Sequence, residues 1–382
     1  MDTIKVLFAG DFAPCHKFEN LGIDSGRHLI DHEISKLAQD ADISFINLEC
    51  PLTKSNSKKN KSGPSIKADP RCIDIIKNFN LVGLANNHIL DYGEKGLIET
   101  IKVCKDQNKN ITGAGKNLSE SAIFFEKTIQ DVKIAIIAVA ECEFNHATES
   151  SYGCSPLDVI ENSNRIACAK KNNDIVLVTI HGGNEFFPYP RPGLRKICKF
   201  FIDQGADSVI CHHTHVPGAY ETYHGKPIFY SLGNFLFGKE TDKKQWDKGY
   251  MVRLNISRSK KNLKGFDIFF TKQSEEIGGV KLLNEEENFK QQKIQEEINK
   301  KLKSSENYND EWNKFTKKMS KAFIARNYSN FQFKGLGALA KYSPYTKFLL
   351  NDSNLLMRLN MLRCESHREL LISILEDKAN SD

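Results

Sequence analysis

Short apolar runs alternate with amphipathic segments over the first 237 residues. The apolar runs predict strands at Val6–Ala9, Ile43–Leu48, Leu81–Ala85, Lys133–Ala140, Ile175–Ile180, Ser208–Ile210 and Pro227–Leu232. Between them, apolar residues recur every three or four positions, which predicts helices at Gly26–Gln39, Arg71–Phe79, Glu94–Gln107, Asp158–Lys170 and Leu194–Gln204. This alternation predicts an α/β fold in which helices cover a largely parallel sheet.

Two segments interrupt or follow the alternation. Residues 54–66 form an insert rich in Lys, Ser and Asn, which we expect to be a mobile loop, either solvated or in contact with an anionic substrate. Further on, Tyr250–Ile256 and Phe266–Phe270 flank a basic turn and predict an antiparallel hairpin that closes the sheet.

The composition changes at about residue 285, where Glu, Lys, Gln and Asn become dominant. Apolar residues take helical spacing in Ile294–Leu302, Trp312–Phe323 and Leu355–Leu375. The sequence therefore predicts a main domain over residues 1–275 and an α-helical extension over 285–382. The leucines of the extension are expected to pack on the main domain or on a partner.

Composition narrows the class of protein. With 382 residues, of which 40% are hydrophobic, the chain can bury a large core. No apolar run approaches the roughly 20 residues of a transmembrane helix, and the N-terminus lacks a signal-peptide pattern, so we expect a cytoplasmic protein. The ten cysteines are scattered singly, as is typical of reduced thiols. A net charge of +6 permits an anionic substrate but does not indicate a nucleic-acid partner.

Metal-binding residue types follow the predicted strands. In α/β sheets, ligands bind beyond the carboxyl ends of the strands, and the candidates there are Asp11, Glu49, Asn87, His181, His213 and His215. Carboxylate, amide and imidazole ligands suit Mn, Fe, Zn or Mg. Six ligands exceed the four of a tetrahedral zinc site, so a pair of divalent ions that share a ligand fits better.

Two motifs add candidates for catalysis and substrate binding. Asn86-Asn87-His88 is followed by Asp91-Tyr92-Gly93, which is either part of the site or a capped turn. If it is part of the site, His88 would stabilise the transition state or protonate the leaving oxygen. In His181-Gly182-Gly183-Asn184-Glu185 the glycines permit close approach of a ligand. Arg191 would hold phosphate or carboxylate, or form a surface ion pair.

The order and spacing of these segments resemble the CapA family of capsule or poly-γ-glutamate biosynthesis proteins, which have a calcineurin-like metallophosphoesterase fold. The matching segments are Gly10-Asp11, Asn47 to Thr53, Leu84 to Gly93, His181 to Glu185, His212 to Val216 and Ser231 to Phe235. They cover about two-thirds of the chain. The resemblance implies a four-layer αββα sandwich instead of a single doubly wound sheet.

The resemblance also implies roles for individual residues. Asp11, Asn87, His181, His213 and His215 look like metal ligands, Glu49 takes the position that bridges two metals, and His88 takes that of the catalytic histidine. The candidates for substrate binding are Lys67, Asn86, Glu185, Arg191 and His212. Of these, Lys67 replaces a family arginine, and His212 would lie either behind the ligands or facing the substrate.

Two departures from the family pattern affect the expected site. Ala13 stands where the wider superfamily has a histidine, so one metal would be weakly held. Gly182 stands where the family often has tryptophan, which implies a more open pocket.

Three functions follow as hypotheses. The first is a di-metal hydrolase that cleaves a phosphoester or related bond, on an anionic polymer or a phosphorylated small molecule, in cell-envelope polymer biosynthesis. The second is a non-catalytic accessory protein that binds a polymer synthase through its C-terminal helices. The third is a nucleotide or nucleic-acid phosphodiesterase, although no aromatic stacking pattern supports it.

Overall fold

The computed structural model describes residues 2–24, 28–61, 63–238, 241–274, 276 and 278–328, together with positions 355, 358, 362 and 375. The chain divides into two compact units, Met1–Tyr308 and Asn309–Asp382.

The strands of the first unit occupy most of the predicted apolar runs. They are β1 (Thr3–Ala13), β2 (Ile43–Leu48), β3 (Leu81–Gly83), β4 (Asn110–Thr112), β5 (Ala114–Gly115), β6 (Phe125–Ile129), β7 (Val132–Ala140), β8 (Gly153–Cys154), β9 (Ile175–His181), β10 (Ser208–His212), β11 (Tyr220–Tyr223), β12 (Lys226–Phe229), β13 (Asn234–Phe237), β14 (Lys248–Ser257), β15 (Asn262–Ser274) and β16 (Gly279–Leu282). The helices are α1 (Lys17–Asp24), α2 (His32–Gln39), α3 (Gly93–Asp106), α4 (Leu118–Ser121), α5 (Val159–Asn172), α6 (Pro192–Asp203), α7 (Glu285–Lys303) and α8 (Ser305–Tyr328).

These strands form two large sheets instead of the single sheet that alternation alone predicted. The first has the order β16-β15-β14-β1-β2-β3-β4, with β13 also paired to β1. Within it β1 to β4 run parallel. The second has the order β11-β12-β10-β9-β7-β6, with a parallel centre of β7, β9, β10 and β12. A single alternating pattern is compatible with both arrangements, because each strand is flanked by helices or connections in either case.

The two sheets pack face to face. Phe8, Phe45 and Leu81 of the first sheet share a buried cluster with Leu177 and Ile210 of the second. Because side chains alternate along a strand, the neighbouring residues of the first sheet point the other way. That opposite face is covered by α2 and α3.

The outer helical layers complete the sandwich. Leu7, Ile46 and Val82 form a second cluster with Ile34 of α2 and Leu97 of α3. Helices α5 and α6 pack on the outer face of the second sheet. The predicted four-layer αββα fold is therefore confirmed.

Several local predictions are confirmed and others are corrected. The hairpin is present as β14 and β15. The segment predicted as the helix Arg71–Phe79 is a short 3-10 helix, Pro70–Ile76, whose first turn is capped by the side chain of Asp69. The predicted helix Gly26–Gln39 is confirmed only from His32, at the start of α2.

Helix α7 belongs to the first compact unit, although it lies inside the predicted extension. Its Gln295 donates from Nε2 to the carbonyl oxygen of Gly218 at 2.9 Å. The side chain of Asn299 accepts a hydrogen bond from the backbone N–H of Tyr220 at 2.9 Å. These buried amides attach α7 to the edge strand β11 and to the loop that precedes it. The domain division at residues 275 to 285 stays a prediction.

The second unit is described along α8 from Asn309 onward and at four single positions. This helix covers the predicted segment Trp312–Phe323. Apart from single positions, the predicted helix Leu355–Leu375 lies outside the described residues. In the described part of the chain, no helix combines the length and apolar character needed to cross a membrane. The cytoplasmic location stays a prediction.

Replacement of Asn299 by Leu tests how α7 is attached. The change leaves the N–H of Tyr220 without its acceptor, so we expect the free energy of unfolding to fall by about 1–3 kcal/mol. The matched control is Gln292→Leu, which removes an exposed amide from the same helix and should change stability by less than about 0.5 kcal/mol. Urea denaturation measures both, and equal effects would contradict this attachment.

Candidate metal centre

The predicted ligands meet where the parallel strands of both sheets end. Asp11 lies in β1 and Glu49 directly follows β2, both in the first sheet. Asn87 follows β3, also in the first sheet. His181 ends β9 in the second sheet, and His213 and His215 follow β10. All six side chains are buried.

The chain crosses between the sheets beside Asp11. Residues 230–233 leave the second sheet after β12, and β13 then pairs with β1 in the first. The N–H of Asp11 donates to the carbonyl oxygen of Gly233 at 3.1 Å. A Cβ at Gly10 would lie 2.1 Å from that oxygen, so this approach requires glycine. The register of β1 against β2 also shifts between Ala9 and Asp11, and such irregularities can redirect a side chain.

Glu49 is common to two groups of candidate ligands. One group is Glu49, His181 and His213, and the other is Asp11, Glu49 and His215; in each, the ligand atoms lie within 4.8 Å of one another. Oε1 of Glu49 lies 3.5 Å from Nε2 of His181 and 3.7 Å from Nε2 of His215. Glu49 therefore lies where a carboxylate shared by two ions would lie.

Asn87 joins the first of these groups. Its Oδ1 lies 3.0 Å from Nε2 of His181, and that nitrogen lies 3.1 Å from Nδ1 of His213. The amide nitrogen of Asn87 points away and donates to Glu143 at 3.3 Å. The carbonyl oxygen is thus the atom that Asn87 presents to the cluster.

Burial and charge shift the pKa values of the cluster in opposite directions. Burial, reinforced by the charge of Asp11, raises the pKa of Glu49 well above its usual value. Burial also lowers the pKa of His181 well below its usual value and that of His215 to about 4. For Asp11, burial is the largest single influence and would raise the pKa, but the nearby imidazoles of His212, His181 and His215 together outweigh it, so the pKa is lowered.

The surroundings of the Glu49 carboxylate indicate that a cation fits this cluster. Its carboxylate is fully buried, and neither oxygen has a hydrogen-bond partner among the described residues. A buried carboxylate without a donor or cation is strongly destabilising. The neutral imidazoles of His181 and His215 face it with nitrogen atoms that can act as ligands. This mixed oxygen and nitrogen set suits a divalent metal.

Two asparagines that the sequence analysis did not single out hold the ligands in place. Asn47 donates from Nδ2 to Oδ1 of Asp11 at 2.8 Å, and the same atom lies 3.1 Å from Nδ1 of His181. The Oδ1 of Asn234 lies 3.0 Å from Nδ1 of His215, which leaves Nε2 of that ring toward Glu49. Both asparagines occur in the motif segments, which is the signal that could have identified them.

The loop after β10 has a restricted backbone. His213 and His215 have φ values of 91° and 60°, in a region that residues other than glycine rarely adopt. The N–H of His213 donates to Oδ2 of Asp11 at 3.0 Å, which helps to fix the loop. Such strain is concentrated at functional sites.

The predicted catalytic residue His88 is paired with a carboxylate. Its Nδ1 lies 2.7 Å from Oδ2 of Asp91, and Asp91 is fully buried. A carboxylate accepts hydrogen bonds, so Nδ1 carries the proton and Nε2 is left for other contacts. Asp91 is therefore the hydrogen-bond partner of His88 as well as a residue of the predicted turn.

Two of the predicted substrate-binding residues lie behind the ligands. The amide of Asn86 donates to the carbonyl oxygen of Leu48 at 2.7 Å and accepts from the N–H of His88 at 3.1 Å. His212 is buried, and its Nδ1 lies 3.3 Å from Oδ1 of Asp11. Of the two positions that the sequence allowed for His212, the structure favours the one behind the ligands.

The other three lie nearer the surface. Lys67 donates to the side chain of Asn56 at 2.9 Å, within the polar insert. Glu185 is exposed, and its charge contributes to the raised pKa of Glu49. Arg191 donates from Nε to Glu141 at 3.1 Å. Substrate binding by these residues stays a prediction.

The backbone of Gly182 lies against the side chain of Glu141. A Cβ at this position would lie 2.6 Å from the carboxyl group of Glu141. Glu141 is held there by Arg191 and by the N–H of Gly183, which donates to it at 3.1 Å. The side chain of Glu141 thus takes the space that a side chain at position 182 would enter, and the expectation of a more open pocket stays a prediction.

Fold and site together define a class of protein: an αββα sandwich with a buried carboxylate, imidazole and amide cluster at the joined ends of its two sheets. A family model described as "Bacterial capsule synthesis protein PGA_cap" matches residues 5–239. The chain belongs to this family.

Curated relatives share part of this sequence. The PGA biosynthesis protein CapA of Bacillus subtilis is 31% identical over 62% of this chain and 64% of its own length. The capsule biosynthesis protein CapA of Bacillus anthracis is 30% identical over 56% of this chain and 54% of its own. The chain thus spans less than two-thirds of the length of either relative.

Solved structures show a more distant likeness. A phosphatase from Mycoplasma pneumoniae has a TM-score of 0.43 at 13% identity and covers 71% of this chain and 94% of its own. The calcineurin-like phosphoesterase YfkN from Bacillus subtilis has a TM-score of 0.40 at 14% identity and covers 70% and 90%. At these scores the likeness is too distant to assign an activity.

Replacement of Glu49 by Gln should have opposite effects with and without metal. In the metal-free protein, the raised pKa of Glu49 means that its ionisation opposes folding as the pH rises above about 4.5, the usual glutamate value. At pH 7.5 the Gln variant should therefore melt about 2 °C or more above the wild type without metal. It should also lose most of the stabilisation by saturating Mn²⁺, which for a site filled to 100 times its Kd is about 2.7 kcal/mol.

Differential scanning calorimetry with EDTA and with Mn²⁺ measures both effects. The matched control is Glu149→Gln, which removes an exposed carboxylate and should leave both melting temperatures close to wild type. A Glu49→Gln variant that is less stable without metal and keeps the full response to Mn²⁺ would disprove the role of Glu49.

Proposed function

We propose that this protein is a hydrolase that cleaves a phosphoester or related bond with two bound divalent ions. The observation that carries the proposal is the buried, unpartnered carboxylate of Glu49, which is shared by two groups of candidate ligands. A shared carboxylate between two ions is a recurring feature of metal-dependent phosphoester hydrolysis.

The donor set suggests how the ligands divide. Glu49, Asn87, His181 and His213 would hold one ion, while Asp11, Glu49 and His215 would hold the other. When bound, such ions supply positive charge that polarises a phosphoryl oxygen and lowers the pKa of water. Asn47 and Asn234 keep the ligand atoms of Asp11 and His215 in position.

His88 is proposed to act on the leaving group. Asp91 accepts the hydrogen bond from Nδ1, so it fixes the ring and selects the form in which Nε2 is the reactive nitrogen. When the ring carries a second proton on Nε2, that nitrogen would contact the phosphoryl group and donate this proton to the leaving oxygen, while Nδ1–H stays bonded to Asp91. A positioned acid of this kind contributes about 10²- to 10⁴-fold to the rate.

The proposed substrate class is a phosphorylated small molecule or an anionic polymer of the cell envelope. Support comes from membership of the capsule synthesis family and from the printed names of the two Bacillus relatives. The ion identities, Mn, Fe, Zn or Mg, are part of the proposal, because the mixed ligand set suits all four.

Replacement of His213 or His88 tests the hydrolase. We expect His213→Asn and His88→Asn each to lower the hydrolysis of bis-p-nitrophenyl phosphate and p-nitrophenyl phosphate by at least about 100-fold. The reasons differ: His213→Asn removes a metal ligand, whereas His88→Asn removes the proton donor and should retain metal. Assays after EDTA treatment and re-addition of each metal, with metal analysis of each variant, separate the two.

The matched control is His224→Asn, which changes an exposed histidine in the turn after β11 and should keep full activity. Circular dichroism checks that all variants fold. Full activity in both His213→Asn and His88→Asn would refute the proposed chemistry.

A second candidate function is a non-catalytic accessory protein of polymer assembly. Two relatives from Mycobacterium tuberculosis are named "Probable polyglutamine synthesis accessory protein". Helix α7 also presents two exposed apolar side chains, Phe289 and Ile294, to which a synthase subunit could bind. The predicted partner surface on the remaining C-terminal helices falls largely outside the described residues.

Complementation separates the two functions. In a strain that lacks this gene, the hydrolase proposal predicts that His88→Asn fails to restore polymer formation, while Phe289→Ser with Ile294→Ser restores it. The accessory function predicts the reverse, because binding would need the α7 surface and not the reactive histidine. Immunoblotting confirms equal amounts of each variant, and polymer is quantified on the cell surface.

A further inference from the structure

The polar insert of residues 54–66 packs against Asp91, the hydrogen-bond partner of the proposed catalytic residue His88. Its two ends are brought together by backbone hydrogen bonds, from Thr53 to Ala68 at 3.0 Å and from Ala68 to Pro51 at 3.1 Å. Between these ends the N–H of Lys59 donates to the carbonyl oxygen of Asp91 at 2.9 Å. The N–H of Ile66 donates to Oδ2 of Asp91 at 2.7 Å. The insert is therefore fastened to Asp91 on both sides.

Lys61 is the residue of the insert whose side chain lies close to both Asp91 and His88. Its side chain is only 4% exposed, and it forms an ion pair with Oδ1 of the fully buried Asp91. Its Nζ also lies 3.5 Å from Nδ1 of His88. A lysine is rarely buried unless it is paired, so this placement requires Asp91.

The other lysines of the insert have different surroundings. Lys58 is exposed. Lys59 donates from Nζ to the carbonyl oxygen of Phe144 at 2.6 Å. Among the described contacts of the insert, only Lys61 brings a positive charge to Asp91. The structure thus distinguishes one lysine from a run that the sequence presents as uniform.

We propose that Lys61 is a positioning residue that acts through Asp91 on His88, an inference that rests on the proposed function. The two oxygens of Asp91 have different partners: Oδ1 forms the ion pair with Lys61, and Oδ2 accepts hydrogen bonds from His88 and Ile66. With Oδ1 fixed by Lys61, the carboxylate plane cannot rotate away from the imidazole. The same side chain places its Nζ 3.5 Å from Nδ1 of His88.

This arrangement predicts an effect on turnover more than on substrate binding. The side chain of Lys61 is almost fully buried and pairs with Asp91, so we expect it to act through Asp91 and not on the substrate. Its loss should let Asp91 and the His88 ring sample other orientations, which lowers the fraction of molecules with Nε2 in the reactive position. A misplaced catalytic group lowers kcat, whereas KM follows contacts made by bound substrate.

The test compares Lys61→Met, Lys61→Arg and the control Lys58→Met, which removes an exposed lysine of the same insert. We expect Lys61→Met to lower kcat for bis-p-nitrophenyl phosphate by about 10- to 100-fold with KM changed less than about threefold. Lys61→Arg, which keeps the charge, should recover part of the loss, and Lys58→Met should match the wild type.

A second readout does not depend on activity. In ¹⁵N-labelled protein, the Nδ1–H of His88 should give a resonance protected from water by Asp91, identified by its loss in His88→Asn. Lys61→Met should broaden this resonance or speed its exchange with water, and Lys58→Met should not. Hydrogen exchange at Lys59 and Ile66, whose N–H groups donate to Asp91, should rise in parallel.

The outcomes separate the two proposals. Wild-type kcat in Lys61→Met, or an unchanged His88 resonance in that variant, overturns the role of Lys61. If the wild type hydrolyses no phosphoester, the proposed function fails, while the His88 resonance still decides whether Lys61 positions the ring. If Lys61→Met does not fold, the neutral Lys61→Gln takes its place in each comparison, with the same outcomes.

Discussion

The burial of the Glu49 carboxylate is the constraint on which the rest of the site depends. It lies fully inside the protein with no hydrogen-bond donor among the described residues, and Asp11 adds a second buried carboxylate to the same cluster. When both carboxylates are ionised and the imidazoles are neutral, the cluster carries an excess of negative charge and several ligand atoms with free electron pairs. Divalent cations would neutralise the charge and bind these atoms, so metal binding and folding would stabilise each other.

The fold supplies this cluster because two sheets end at the same place. The first sheet contributes Asp11, Glu49 and Asn87, and the second contributes His181, His213 and His215. The crossing at Gly233 brings β13 against β1. Side chains around the candidate ligands, such as Asn47 and Asn234, fix the orientation of the ligand atoms. The polar insert then adds Lys61 on the side of His88.

Much of this architecture could be predicted from the sequence, for physical reasons. Apolar runs and helical spacing are local features of the sequence, so they predict most of the strands and helices. Alternation alone predicts a single sheet, and only the resemblance to the family implies the second one. The candidate ligands were found because strand ends collect in α/β sheets. The surroundings of Lys61 and Glu141 depend on contacts across 30 and 50 residues, and no local pattern distinguishes a buried lysine from its exposed neighbours. For that reason the sequence alone does not predict that the insert contacts Asp91.

The most direct test of the central claim is the number of ions bound per chain. Metal-free protein is dialysed to equilibrium against Mn²⁺, and the bound metal is measured by inductively coupled plasma mass spectrometry. The account predicts two ions per wild-type chain and, because both groups of ligands include Glu49, at most one in Glu49→Ala. A wild-type chain that binds no ion, or a Glu49→Ala variant that still binds two, would contradict it.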